Sequence, residues 1–205
     1  MNVFRAGLLS YLSEQQLQAL EGETIGIAGA GGLGSNLSML LVRAGFRRFI
    51  LADFDTVSVS NLNRQNYFLA QIGKTKLAAL TENLRAIQPD LEITTFDEPL
   101  SPENWQQVFA KATLLAEAFD KVELKKAFVA SFAGQGRCLV TVSGLAGYGN
   151  SDRIRTRWLG QKLCVIGDEV SGIDTAPPLA PAVMIAAAKE ADAVLSYVLG
   201  GEKDG

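Results

Sequence analysis

The strongest chemical signal in the chain is the stretch Gly29-Ala30-Gly31-Gly32-Leu33-Gly34-Ser35. Glycines let the backbone approach a ligand closely, and the first turn of a helix offers unpaired N–H groups to an anion. Several later residues fit the same ligand chemistry. Asp53 and Asp55 follow an apolar run, and an acid at the end of such a strand can accept hydrogen bonds from ribose hydroxyls. Residues 56–73 are polar, long for a loop, and hold Asn61-Leu62-Asn63-Arg64-Gln65-Asn66-Tyr67. Lys76 stands in the first turn of a helix, where the macrodipole disfavours a cation by roughly some tenths of a kcal/mol and a bound polyphosphate would reverse the effect. Asp120 ends another apolar run. A phosphorylated ligand is expected. The glycines and Asp53 alone fit an NAD enzyme as well as an enzyme of a nucleoside triphosphate.

The surrounding pattern supplies elements that would position these residues. Residues 24–28 read as a short buried strand, and Leu37, Leu40, Leu41 and Ala44 give the segment after the glycines a helical apolar stripe. Strand, glycine turn and helix is the context that makes a glycine pattern a phosphate site. Strands are expected at 47–53, 91–95, 113–120, 138–142 and 163–166, and helices at 13–20, 74–87, 102–110, 122–132 and 182–199. Ser13 and Ser101 are expected as N-caps, with Pro102 at the first helical position. Arg153, Arg155 and Arg157 alternate along a further strand, residues 170–181 read as a mobile loop, and Gly200 caps the last helix. The alternation predicts an α/β fold in one domain, residues 1–205, with a mainly parallel sheet. In such sheets ligands bind beyond the carboxyl ends of the strands, where the glycine turn, Asp53 and Asp120 all fall.

Composition narrows the chemistry. The 205 residues are 48% apolar and 20% charged, enough for a sizeable core, and the net charge of −3 gives no signal for nucleic acid. There is no histidine, which excludes a Ser-His-Asp triad, a Cys-His pair and any histidine metal site. Two cysteines, Cys138 and Cys164, cannot make a disulfide framework, and both fall in strand patterns as buried structural thiols. The apolar runs are too short to span a bilayer, so a soluble cytoplasmic protein is expected.

Together these residues resemble the E1-like activating superfamily (ThiF, MoeB and HesA proteins), enzymes that adenylate the C-terminus of ubiquitin-like proteins. The specific part is Asn61-Leu62-Asn63-Arg64-Gln65 at this distance from Asp53-Phe54-Asp55, with Gly73, Lys76 and Asp120 after it. Glu117-Ala118-Phe119-Asp120, residues 143–149 and Val165-Ile166-Gly167-Asp168 favour the short-form ThiF branch, which adenylates the sulfur carrier ThiS in thiamine biosynthesis. The resemblance implies a Rossmann-like sheet with helices on both faces, extended by antiparallel C-terminal strands.

It also implies an ATP site in which Gly29, Gly31, Gly32 and Gly34 lie against the nucleotide and Asp53 holds the ribose, with Asp55 and Lys121 nearby. Arg64 and Lys76 would bind phosphates, and Asn61, Asn63, Gln65, Asn66 and Tyr67 would line the pocket. Asp120 would take part in binding Mg²⁺. The catalytic residues implied are Arg64, Lys76 and Asp120. The partner implied is a sulfur carrier with a C-terminal Gly-Gly, whose ionised carboxylate attacks the α-phosphorus without a general base. A homodimer is implied as well, in which Arg5 reaches a neighbouring site or else stands solvated.

Departures from the family are equally specific. The two Cys-X-X-Cys pairs of many relatives are absent, so no zinc is expected. Residues 167–181 contain no cysteine to carry a covalent intermediate, and Lys121 stands where many relatives have asparagine. Alternatives are the same reaction on a molybdopterin carrier or on a modified tRNA base, and an NAD-binding Rossmann protein. Arg153, Arg155 and Arg157 keep tRNA open despite the negative net charge. The NAD reading gives no role to residues 61–65, Lys76 or Asp120.

Overall fold

The apolar runs are the strands of one seven-stranded sheet in a computed structural model that describes residues 2–172 and 176–201. The strands are β1 (Thr24–Ala28), β2 (Arg48–Ala52), β3 (Glu92–Phe96), β4 (Leu114–Glu117), β5 (Cys138–Val142), β6 (Arg155–Leu159) and β7 (Leu163–Gly167). Their order is β3-β2-β1-β4-β5-β7-β6, and every neighbouring pair is parallel except β6 with β7. β2, β4 and β5 are buried almost without interruption, as parallel strands covered on both faces must be. The edge strand β6 alternates, with Arg155 and Arg157 on its exposed side. The topology reverses between β1 and β4, the place where such sheets open a crevice.

The helices are α1 (Val3–Leu8), α2 (Glu14–Gly22), α3 (Gly32–Ala44), α4 (Lys76–Ile87), α5 (Trp105–Val108), α6 (Val122–Phe132) and α7 (Ala180–Leu199). Residues of α2, α3, α4 and α7 share one apolar cluster with β1, β4 and β5, while α5 and α6 belong to a second, built on Trp105, Phe109, Phe128 and Phe132. α3 and α7 pack against each other.

Local chemistry explains where the elements begin and end. Ser13 makes the capping box with Gln16, so α2 starts as expected. Gly45 and Gly200 take left-handed conformations (φ 113° and 75°) that end α3 and α7. The expected helix at 102–110 contracts to α5, because the Asn104 side chain bonds Ser101 N–H and Pro99 C=O and holds residues before Trp105 in a turn. The strand expected to reach Asp120 stops at Glu117. α4 starts at Lys76 rather than 74, since Thr75 is its N-cap and accepts from Ala78 N–H. α1 was not expected; Asn2 caps it. The loop expected to be mobile falls partly outside the described residues, at 173–175. Among the described residues no helix is long and apolar enough to cross a membrane.

Candidate active site

The glycine turn leaves β1 at Ala28 and enters α3 at Gly32, and two of its positions admit no side chain. A Cβ on Gly34 would stand 1.8 Å from the Gly29 carbonyl oxygen, and one on Gly29, at φ 107°, would stand 2.7 Å from the Ala118 oxygen. The turn is gripped from both sides. Asp53 Oδ2 accepts from Ala30 N–H at 2.6 Å, and the Tyr67 hydroxyl donates to Ala30 C=O at 2.7 Å. Burial pushes the Asp53 carboxyl up, against the pull of the Ala30 and Asp55 N–H groups and Lys76. Burial, then the charges of Asp53 and Asp55, raise the Tyr67 phenol.

Lys76 is the buried cation of the site, 5% exposed at the first position of α4. Its Nζ lies 2.6 Å from Asp55 Oδ2 and 4.0 Å from Asp53 Oδ1. Two acids against one lysine leave this corner with spare negative charge and spare acceptor oxygens.

The long polar loop is pinned to α3 rather than loose. Asn36 donates to Gly32 C=O (2.6 Å) and to Arg64 C=O (2.8 Å), and Ser35 Oγ accepts from Asn66 N–H. Arg64 consequently lies over Gly32, where a Cβ would meet its Cγ at 3.5 Å, and its guanidinium bonds Ser60 C=O and Asn63 Oδ1. Gln65 is 7% exposed, beside Gly31, and its Oε1 has no hydrogen-bond partner among the described residues. A buried carbonyl oxygen in that state is poised for a donor from a ligand.

Two cavities open at this edge. The larger, about 430 Å³, is walled by Gly29, Gly31, Asp53, Asp55, Lys76, Asp120 and Lys121, with Glu98, Pro99 and Leu100 opposite. The smaller, about 160 Å³, is walled by Gly32, Arg64, Lys125 and Val183, and both share Ala118, Phe119 and Asp120. The larger falls in the size range of small-molecule sites. Asp120 is exposed and makes no hydrogen bond or ion pair among the described residues.

The structure thus gathers most of the expected residues, with several in supporting roles. Asn61 caps its own turn through Ser58 N–H, Asn66 works through its backbone to Ser35 and Asn83, and Tyr67 buttresses the glycine turn; none of the three lines either cavity. Asn63 bonds Arg64. Arg5, expected to stand solvated or to reach a neighbour, pairs within its own chain with Glu14 (2.5 Å) and Glu21 (3.0 Å). Arg153 and Arg157 pair with Asp168 and Glu169. Cys138 and Cys164 are buried and form no disulfide, and burial pushes the Cys164 thiol up to about 12. Sequence reading gave no site role to Leu100, Asn36, Glu117 or Lys125, of which only Glu117 carries a signal, as an acid inside an apolar run and the first residue of the 117–120 stretch.

With this geometry in place, the sequence matches the ThiF family over residues 5–203. The chain belongs to the ThiF family. The E1-like resemblance drawn from the glycine turn, residues 61–65, Lys76 and Asp120 therefore holds. Among curated ThiF-family relatives, tRNA threonylcarbamoyladenosine dehydratase of Escherichia coli (strain K12) is 32% identical over 143 residues, 69% of this chain and 53% of that protein. Sulfur carrier protein ThiS adenylyltransferase of the same strain is 28% identical over 157 residues, 76% of this chain and 62% of that protein. The chain thus spans little more than half to three-fifths of these relatives. The crystal structure of the E. coli dehydratase in complex with AMP superposes with a TM-score of 0.86 at 21% identity, over 95% of this chain and 93% of that one. That likeness establishes the fold. The relatives do not single out the ThiS branch expected from residues 117–120 and 143–149; the dehydratases of E. coli and Haemophilus influenzae stand beside it at similar identity.

Proposed function

We propose that this ThiF-family chain binds ATP in the larger cavity and transfers AMP to a substrate carboxylate, releasing pyrophosphate. The observation that carries the reading is Lys76, buried at the rim of the glycine-turn cavity between Asp53 and Asp55. Asp53 and Gln65 are suited to hydroxyl and amino donors of a nucleoside, and Arg64 and Lys76 to phosphate oxygens. Asp120, unpaired at the wall of both cavities, would hold Mg²⁺ together with phosphate oxygens, a cation that takes one or two carboxylates beside its phosphates. The described residues contain no cluster of three acids, cysteines or histidines, which fits an ion shared with the substrate better than a protein cage. When bound, Mg²⁺ supplies charge neutralisation at the phosphates.

Nothing in this reaction needs the histidine the chain lacks. A carboxylate is ionised at pH 7, and in-line displacement at phosphorus asks for alignment and charge stabilisation. The dehydratase relatives favour an acceptor carried on tRNA. A threonylcarbamoyl group ends in a carboxylate, and its adenylation expels pyrophosphate. Attack on the acyl carbon by a urea nitrogen or oxygen of the same group, with loss of an N–H proton, then expels AMP carrying one carboxylate oxygen, a net loss of water. The net charge of −3 and the ThiS adenylyltransferase match favour a second acceptor, the Gly-Gly terminus of a ubiquitin-like sulfur carrier. A homodimer belongs to the proposal, supported by the exposed apolar side chains Val59, Phe68 and Leu69 on the loop that supplies Arg64.

Exchange of labelled pyrophosphate into ATP tests this, with threonylcarbamoylated tRNA and Gly-Gly-tailed carriers offered in turn and light scattering reading the dimer. Exchange that depends on one of these acceptors is expected. Absence of exchange with all of them, alongside tight NAD binding, would sink the proposal.

A further inference from the structure

We propose that Glu117 is a positioning residue for this reaction: its carboxylate fixes Lys125, which lines the smaller cavity, and the Ala118–Asp120 turn at the wall the two cavities share. The inference rests on the reading of the site as an ATP-dependent adenylating centre.

Glu117 ends β4 with no exposed surface, a place where an acid is costly unless every lone pair is used. Here they are used. Lys125 Nζ donates to Oε2 at 2.7 Å and Oε1 at 2.9 Å, Thr141 Oγ1 donates to Oε2 at 2.5 Å, and Phe119 N–H donates to Oε1 at 2.7 Å. The Phe119 bond turns the chain out of the strand two residues after Glu117. The turn is locked from its other side as well. Ala118 N–H donates to Ala28 C=O, the Ala118 oxygen packs on Gly29, and the Phe119 ring stands edge-on to Phe128 at 5.5 Å.

Asp120 has no partner of its own among the described residues, so its place at the cavity wall derives from the backbone that Glu117 holds. Lys125 depends on Glu117 more directly. Its side chain lines the smaller cavity together with Arg64, and Glu117 is its ion-pair partner. Without the carboxylate, a largely buried ammonium would be uncompensated and would swing toward solvent. One acid therefore sets two groups of the smaller cavity, Lys125 and Asp120, the second of which also walls the larger.

The test uses the whole chain and two readouts, pyrophosphate exchange and the rate of acetylation at Lys125 read by mass spectrometry. In Glu117→Gln, exchange at saturating ATP is expected to fall roughly 10- to 100-fold, as displacement of a reacting group costs, with the KM for ATP within about threefold of wild type. Lys125 acetylation is expected to quicken about fivefold or more as its ion pair is lost. In Glu117→Asp/Lys125→Arg a longer base meets a shorter acid, and the rate should return to within about threefold of wild type. Should Glu117→Gln fail to fold, Thr141→Val decides: it removes one hydrogen bond and keeps the charge, and a loss of about two- to threefold is expected. Wild-type exchange and wild-type labelling in whichever of these folds would overturn the proposal. If wild type itself shows no exchange while Lys125 labelling rises in Glu117→Gln, the adenylation reading fails and the positioning of Lys125 stands.

Discussion

The two lysine–carboxylate pairs at the carboxyl edge of the sheet are built in opposite ways. Lys76 faces two acids, Asp53 and Asp55, and the Asp55 side chain is 52% exposed, so charge and acceptor oxygens are left over. Lys125 faces one acid, Glu117, which is wholly buried and has its oxygens engaged by Lys125, Thr141 and Phe119. The first pair has valence to spare for a ligand; the second is closed and can only hold neighbours in place. A third acid completes the series. Glu190, inside α7, is fully buried with neither oxygen hydrogen-bonded among the described residues, and burial, then the charge of Glu117, hold its carboxyl well above the glutamate range.

Substitutions in the open pair should cost activity, and those at the isolated acid should alter stability. Lys76→Ala is expected to lower pyrophosphate exchange by roughly 10²–10³-fold, the cost of deleting a pre-organised charge at a transferring phosphoryl group, while circular dichroism stays unchanged. Equal exchange in variant and wild type would break the contrast between the two lysines. Asp120→Asn should cost about 10²-fold and raise the Mg²⁺ concentration needed for half-maximal rate; an unchanged Mg²⁺ requirement would remove Asp120 from the metal assignment.

Glu190→Met should instead stabilise the chain by roughly 1–3 kcal/mol at neutral pH in urea unfolding, because an unsatisfied polar group leaves the interior. The sign with pH follows from the raised pKa of the folded state. The wild-type contribution is complete below the unfolded glutamate value of about 4.3 and is lost as pH rises through the folded value. Glu190→Met should lack that decline, and an identical pH profile would show Glu190 to be partnered. Tyr67→Phe is the smallest change. Loss of its bond to Ala30 should cost about 0.5–1.5 kcal/mol of stability and leave exchange nearly unaltered, since the phenol supports the glycine turn from outside the cavities.

The parts of this site readable from sequence are those whose geometry is local. The strand–glycine–helix unit, Asp53 after an apolar run, and Lys76 in a first helical turn follow from periodicity and capping over a few residues. What escaped reading depends on distant partners. Leu100 reaches the larger cavity only through packing, and the helix expected at 102–110 yielded to Asn104, whose side chain outcompetes it for Ser101 and Pro99. Glu117 and Lys125 are eight residues apart, across a strand end, a turn and a helix, and no periodicity links them. Arg5 illustrates the same limit, because two glutamates of α2 engage a cation that stands alone in its own stretch. Glu190 was legible in principle. It lies three residues beyond Ala187 on the stripe that faces the core, where helical spacing marks it as buried.

We propose the larger cavity as an ATP site organised by Lys76. Calorimetric titration of ATP and of NAD into the wild-type chain and into Lys76→Ala tests it most directly. The prediction is saturable ATP binding to wild type, weakened at least about tenfold in Lys76→Ala by the loss of a charge-assisted contact, with no comparable NAD binding. NAD binding tighter than ATP, or ATP binding indifferent to Lys76, would contradict it.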